Sequence, residues 1–443
     1  MFDTFEAVKR RSKIIRIQET SEFKDKLLLW AQQFEEVIWL DSNTEFPNAS
    51  QKYSKFDVVL AVGAEKKLQS NYKDAFNKLK SFHNSTKDYI FGYLGYDLKN
   101  DIEELKSTNF DGLNFSDIYF YQPKKIFFVR DNTIEIAYLN EYRNEIEKDL
   151  EEIKNYEVTL HKLQIPIHIK ERVSKKQYFK KLNEILEHIH RGDIYEVNFC
   201  QEFYAENTII NPINVYQRLN AISSPPFATF LKINDQFLLS ASPERFVKKQ
   251  GNRIISQPIK GTARRTSDDI EDQKIANELS RDPKERAENI MIVDLVRNDL
   301  SKTALRGSVT VEELCEVYSF QQVHQLISTL VSTIDKQTSA IDVIKSLFPM
   351  GSMTGAPKIS AMKIIEEQEE TKRSLYSGAV GYFTPDNDFD FNVVIRSILY
   401  SSNNKYVSFS VGGAITSQSI IENEYEECLL KAKAMKKALF HQE

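Results

Sequence analysis

Apolar residues along the chain follow two rhythms: short β-branched and aromatic runs closed by turn residues, and spacings of three to four that suit one face of a helix. Val37-Ile38-Trp39-Leu40 stops at Asp41-Ser42-Asn43, and Val58-Val59-Leu60-Ala61-Val62 stops at Gly63, which predicts two buried strands. Residues 125–129 and 134–138, joined through Arg130-Asp131-Asn132-Thr133, predict a hairpin. Residues 144–156 interleave Glu with Lys and suit a solvated helix or linker, and Ile165-Pro166 ends any helix there. A boundary near residue 165 therefore divides the chain into regions 1–165 and 166–443.

The second region opens on Ser174-Lys175-Lys176-Gln177, the form of a capping box, and Phe179, Leu182, Ile185, Leu186 and Ile189 share one face of the helix that runs to Gly192. Strand-like runs at 227–231, 237–239 and 253–255 flank Asn234-Asp235 and Gln250-Gly251-Asn252, so this stretch folds back on itself as antiparallel strands. Glu244 and Lys260 then stand at strand ends. Pro258 removes a ladder donor and Gly261 permits unusual backbone angles, so Lys260 is presented where regular pairing stops and a ligand can approach. A solvated turn lysine is the other reading of the same pattern.

Two helices carry carboxylates three residues apart: Glu285 and Glu288 after the helix start Asp282-Pro283, and Glu424 and Glu427 near the C-terminus. Taken alone, each pair reads as a solvated face. In residues 289–300, Ile290, Met291 and Leu295 are expected in the core, with Asp294, Arg297 and Asn298 bracing the helix. Further strands are expected at 378–383, 393–396 and 411–415. Phe91-Gly92-Tyr93-Leu94-Gly95-Tyr96-Asp97 has aromatics between its glycines and is not a phosphate loop.

Composition narrows the class without choosing a chemistry. With 443 residues, 41% hydrophobic and 28% charged, the chain can bury a sizeable core, and a net charge of -5 gives no basic excess for nucleic acid. Cys200, Cys315 and Cys428 are odd in number and widely spaced, which suits a reducing cytosol and excludes a C-x-x-C zinc site. His188 and His190 have no third ligand nearby. No apolar signal core opens the chain and no run approaches the roughly 18 apolar residues of a membrane span, so a cytoplasmic protein is expected.

Ser242-Pro243-Glu244-Arg245-Phe246 and Pro258-Ile259-Lys260-Gly261-Thr262 resemble blocks of the chorismate-utilising enzymes, and specifically of the branch that forms 4-amino-4-deoxychorismate. The blocks at 192–199, 289–300, 348–358, 378–383, 393–396 and 411–415 follow in the family's order, covering the chain densely from Lys176 onward. The anthranilate-forming branch usually carries Ala where Lys260 stands. The resemblance implies an α+β fold of antiparallel sheets packed face to face with helices outside. It makes 1–165 an N-terminal region like that of anthranilate synthase component I and 166–443 the chorismate-binding catalytic region.

Chorismate and ammonia are the implied substrates, in p-aminobenzoate and folate biosynthesis. Lys260 is the implied nucleophile, with a lowered pKa, and Glu244 the implied general acid, with a raised one. Glu288 and Glu427 match direct Mg²⁺ ligands, with Glu285 and Glu424 behind them. Gly261, Thr262, Tyr382, Arg396, Gly412, Gly413, Ala414 and Lys431 match substrate-binding positions. A separate glutamine amidotransferase is expected to supply ammonia, because no G-x-C-x-G elbow surrounds any cysteine. Two departures stand out. Gln325 replaces a histidine associated with pyruvate loss, and Glu196 stands where water-using members carry Lys and nitrogen-using members more often carry Gln. An anthranilate-forming enzyme and a non-catalytic chorismate-binding protein remain the rival readings.

Overall fold

The computed structural model describes residues 10–18, 20–43, 52–157 and 167–440. Two antiparallel layers share the long strand Ile118–Arg130. In the first layer that strand joins Thr133–Leu139 and Val58–Ser70, and the sheet continues through Glu36–Asp41, Phe227–Ile233, Gln236–Ser242, Ser397–Ser401 and Tyr406–Thr416 to Glu196–Ala205. In the second layer its early residues pair with Ile90–Leu94, and the sheet continues through Ala379–Phe383, Phe389–Val393, Arg245–Gln250 and Arg253–Gln257 to Val323–Thr333. Ile259–Arg264 and Thr310–Ser319 also pair with Val323–Thr333.

The alternation read from the sequence sorts side chains between two cores, because successive strand residues point to opposite faces. Val37, Trp39 and Leu60 belong to a core shared with the helices Thr20–Trp30, Lys175–Arg191, Pro212–Ser223 and Ile421–Leu439. Ile38, Val59 and Ala61 turn the other way and pack with Phe91, Phe120, Val247 and Phe391 of the second sheet. Burial on both faces makes the layers face each other with helices outside, as expected from the sequence. The capping box at Ser174 forms, and its helix ends at Gly192 with φ 88°.

Several local expectations change. Residues 144–156 hold a docked helix, Ile146–Lys154, whose Ile146, Leu150 and Ile153 are buried; Glu147, Lys148, Glu151, Glu152 and Lys154 occupy its outer side, while Asp149 is buried against Lys125. On the helix Pro283–Ser301 the core face is Ile292, Val293, Val296 and Leu300, whereas Ile290 is exposed and Asp294 and Arg297 pair with each other in solvent. Arg396 lies not in a strand but in a turn with φ 50°. The boundary near residue 165 falls outside the described residues, and strands from either side of it pair in both layers.

Gly92 is a packing glycine at the centre of the second layer: a Cβ there would lie 2.0 Å from the Tyr119 carbonyl oxygen. We expect Gly92→Ala to cost about 1–3 kcal/mol of folding stability, since a rigid ladder cannot yield to an added methyl. Urea denaturation should show a lowered midpoint with an unchanged slope. An unchanged midpoint would mean that the strands do not approach so closely.

Candidate active site

The chain crosses between the two layers at two neighbouring places. Gln236–Ser242 belongs to the first sheet and Arg245–Gln250 to the second, with Glu244 between them. Phe389–Val393 belongs to the second and Ser397–Ser401 to the first, with Arg396 between them. The crossings are stitched together: Val393 N–H donates to the Glu244 carbonyl at 3.0 Å, Ala241 N–H to the Arg396 carbonyl at 3.1 Å, and Ser242 Oγ to the Val393 carbonyl at 2.6 Å. Residues that leave one ladder to join another cannot pair regularly, so Glu244 and Arg396 stand outside the strand ladders while their carbonyls stay tied to the neighbouring crossing.

Glu244 is buried. Ser352 Oγ donates to its Oε1 at 2.8 Å, and burial pushes its carboxyl up to about 7 against the opposing effects of Ser352, Lys260, the Ile259 amide and Arg396. This is the direction a general acid needs near neutral pH. The Arg396 guanidinium makes no side-chain hydrogen bond or ion pair among the described residues, and burial lowers its pKa against the charge of Glu244.

Lys260 lies in Ile259–Arg264 where the register against Val323–Thr333 slips between Ile259 and Thr262. Its side chain reaches across to the first layer, placing Nζ 3.3 Å from Glu196 Oε1. Burial alone would lower the amine's pKa, but Glu196, Glu288 and Glu427 together outweigh it and hold the pKa above the ordinary lysine value. The lowered pKa expected from the sequence is thus reversed, because this amine is faced by carboxylates and not by apolar groups. Gly261 has φ 96°, and a Cβ there would meet Leu326 Cδ1 at 2.9 Å and Glu285 Oε2 at 3.1 Å. Only glycine suits both that conformation and that approach.

The two carboxylate helices converge on the same place. Glu285 and Glu288 are partly buried and Glu424 is buried, and burial is the first cause of their raised pKa values. Their mutual charge adds to it: Glu427 acts on Glu285 and on Glu424, and Glu285 on Glu288. Glu427 itself is 50% exposed and is held below the usual value by Lys431 at 2.6 Å, against the effect of burial. Lys431 also donates to the Gly412 carbonyl at 3.1 Å. A Cβ on Gly413 would stand 3.4 Å from Glu424 Oε2, so this strand runs beneath the carboxylates. Among the strand pairings, residues 412–414 pair with Glu196–Ala205 on one side only, which leaves the other backbone edge of Gly412, Gly413 and Ala414 without a strand partner. No three His, Cys, Asp or Glu side chains among the described residues are grouped closely enough to hold a metal ion by themselves.

Tyr382 is not brought to this cluster. It stacks on Phe91 with ring centroids 5.2 Å apart and lines a separate 70 Å³ cavity with Arg245, Asp390 and Phe227. Its strand neighbours alternate faces, and the residue-for-residue match did not fix which face Tyr382 would take. Thr262 is exposed opposite Gln325, whose buried Oε1 has no hydrogen-bond partner among the described residues. His324 points elsewhere, to Ser319 Oγ at 2.8 Å and Asp272 at 3.1 Å.

Three residues were given no role in the site from the sequence, Glu196 being noted only as a departure from the family's pattern. Glu196 pairs with Lys260, and Ser352 holds Glu244. Asn289 is fully buried on the helix of Glu285 and Glu288 and donates through Nδ2 to the carbonyls of Lys260 and Leu326, at 3.0 and 3.2 Å. Its signal in the sequence was an amide at a position that the helical spacing places inside.

The same two-layer arrangement occurs in anthranilate synthase component I from Streptococcus pneumoniae, with a TM-score of 0.74 and 26% identity over 85% of this chain and 91% of that one. It also occurs in the menaquinone-specific isochorismate synthase from Escherichia coli, with a TM-score of 0.74 over 98% and 95% of the two chains; at 16% identity that likeness is one of fold. The architecture is that of the chorismate-utilising enzymes. A sequence model of the chorismate binding enzymes matches residues 17–437, and the chain belongs to that family. Aminodeoxychorismate synthase component 1 of Escherichia coli is 39% identical over 60% of this chain, and the match spans 58% of that protein. The Bacillus subtilis protein of the same name is 32% identical over 79% of this chain and 72% of its own length. Anthranilate synthase component 1 of Thermus thermophilus is 33% identical over 79% and 77%.

Glu244 links the site to stability. Its folded pKa of about 7 lies above the ordinary glutamate value of 4.5, so the folded state holds a proton that the unfolded state releases. Stability from this group is full below the unfolded value and is lost as pH rises through the folded one. We therefore expect Glu244→Gln to gain stability relative to the parent as pH rises through that window, by up to about 3 kcal/mol. Denaturation of both proteins across this pH range checks it; a constant difference would rule out a raised carboxyl pKa.

Proposed function

We propose that the chain is the chorismate-aminating component of an aminodeoxychorismate synthase. With Mg²⁺ and ammonia it converts chorismate to 4-amino-4-deoxychorismate, on the way to p-aminobenzoate and folate, and a separate glutamine amidotransferase supplies the ammonia. The carrying observation is Lys260, held at the joint of the two sheets with Glu244 close enough to feel its charge. A lysine there has no use in an enzyme that adds ammonia directly, and it supports a covalent route. The names of the Escherichia coli and Bacillus subtilis relatives support the same reading.

In this route the neutral amine of Lys260 attacks ring C2 while the C4 hydroxyl departs with the proton of Glu244. Ammonia then attacks C4 and expels the lysine, and its surplus proton returns to Glu244. Arg396 and the unpaired edge of Gly412 to Ala414 receive the enolpyruvyl carboxylate, since a guanidinium can give a carboxylate two parallel hydrogen bonds. The roles stay separate, with Glu244 moving the proton, Lys260 forming and breaking the bond, and Arg396 orienting the ring.

The carboxylates fit a hard divalent cation. Glu285, Glu288 and Glu424 are raised by burial and by one another's charge, a crowding that such a cation relieves. Mg²⁺ takes one or two protein carboxylates and completes its shell with water and substrate oxygens, so Glu288 and Glu427 suffice as direct ligands with Glu285 and Glu424 behind them. When bound, the cation would hold the ring carboxylate and draw charge from the ring.

The cysteines support an external source of ammonia. All three are free and buried; burial pushes Cys200 up to about 12 and Cys428 up to about 11, and raises Cys315, so none has the character of a glutaminase nucleophile. The anthranilate-forming alternative is favoured by the Thermus thermophilus relative and is separated by product. Incubated with chorismate, Mg²⁺ and ammonium, the chain should form 4-amino-4-deoxychorismate without pyruvate, and should show little turnover with glutamine. Lys260→Ala should abolish the chorismate adduct seen by protein mass and reduce turnover by about 10³ or more. Anthranilate with pyruvate as product, or unchanged turnover in the variant, would discard the reading.

A further inference from the structure

Glu196 is the first residue of Glu196–Ala205, and its backbone is held on both sides, against Thr416 of one strand and Ala356 of another. The residue is 1% exposed. One oxygen, Oε1, meets Lys260 Nζ at 3.3 Å, while the other, Oε2, is buried with no hydrogen-bond partner among the described residues. A carboxylate present only to balance a charge is normally satisfied at both oxygens, because an idle buried acceptor carries its full desolvation cost. Here a spare acceptor stands beside an amine that must shed a proton before it can attack carbon.

The other groups facing the amine are committed. Glu244, on the crossing after Gln236–Ser242, must arrive protonated to serve as acid. Glu288 on Pro283–Ser301 and Glu427 on Ile421–Leu439 act on Lys260 by charge but make no ion pair with it, and Glu285 lies against Gly261. Glu196 is the acceptor in contact.

We propose that Glu196 is a further catalytic residue of the amination described above, on which this inference rests: it takes one proton from the Lys260 ammonium to free the attacking amine and returns it once the lysine is expelled. The balance closes. As Glu196 becomes neutral, Nζ forms its bond to C2, the ring double bonds shift, and the C4–O bond breaks with the proton of Glu244 leaving as part of water. When ammonia bonds to C4, the C2–Nζ bond breaks, the electron pair returns to Nζ, and Glu196 restores the ammonium. The surplus proton on the new amine goes to Glu244. Net, chorismate and ammonia become the amino product and water, and both carboxyl groups end as they began.

The test turns on sign. If Glu196 only pairs with Lys260 electrostatically, Glu196→Gln removes an attraction that favours the ammonium, and adduct formation near neutral pH stays the same or quickens. If Glu196 takes the proton, the variant slows by about 10², and its rate climbs with pH as solvent takes over, while the parent is flatter. Adduct formation on the full chain, with chorismate and Mg²⁺ but no ammonium, is followed by protein mass against pH. Glu196→Asp, which keeps a carboxylate, should recover part of the rate with the parent's pH dependence, and it carries the comparison if the Gln variant does not fold. A Gln variant as fast as the parent, or an Asp variant whose rate climbs with pH, overturns the assignment. Absence of any adduct on the parent, or turnover by Lys260→Ala, instead sinks the amination reading and this inference with it.

Discussion

The pairing of Lys260 with Glu196 joins the two sheets where the ladder of Ile259–Arg264 against Val323–Thr333 slips in register. Neither charge can be buried alone without a cost of several kcal/mol, so each requires the other, and the requirement spans two layers. It fixes the second sheet's irregular strand against the first sheet's terminal one. Around this contact the two crossings carry Glu244 and Arg396, tied to each other by backbone hydrogen bonds that do not depend on the identity of the side chains. A buried acid, an amine and an unpaired guanidinium are thus held near one another by a scaffold with little freedom to rearrange.

Charge around the contact is unevenly spread. Six carboxylates, on two strands or crossings and two helices, face a smaller number of cations, and only Glu427 has a close lysine of its own within its helix turn apart from the longer Lys284–Glu288 approach. That surplus favours the Lys260 ammonium at rest, whereas the Glu244 carboxyl is pushed toward its neutral form by burial and not by the other carboxylates. Burial is the largest single effect on both groups; it prevails for Glu244, and for Lys260 the neighbouring carboxylates together outweigh it. The opposite outcomes follow from distance and partner, since both groups are largely removed from water.

Small residues make the geometry feasible. Gly261 lets the strand bend toward Glu285, and Gly412 clears Cys200, whose Sγ would lie 2.3 Å from an added Cβ. Gly92 and Gly381 serve a different purpose at the centre of the second sheet, where each would press a Cβ to 2.0 Å from a neighbouring carbonyl oxygen. Asn289 completes the frame by tying the helix of Glu285 and Glu288 to the backbone of Lys260 itself.

Residue periodicity alone determined the strands at 37–40 and 58–62, the hairpin at 125–138 and the capped helix from Ser174, because the signal for each, an apolar run closed by turn residues or a cap before an apolar face, is written in consecutive residues. The carboxylate pairs were legible as helix faces, and Glu244 and Lys260 as strand-end residues, for the same local reason. What tertiary structure decided was every relation between distant segments. It placed Glu196 against Lys260, sent Tyr382 to another cavity, moved Ile290 to the surface and put Arg396 in a turn. Which face of a strand or helix is covered, and which charge stands opposite which, depends on partners dozens to hundreds of residues away, and no local pattern encodes that distance.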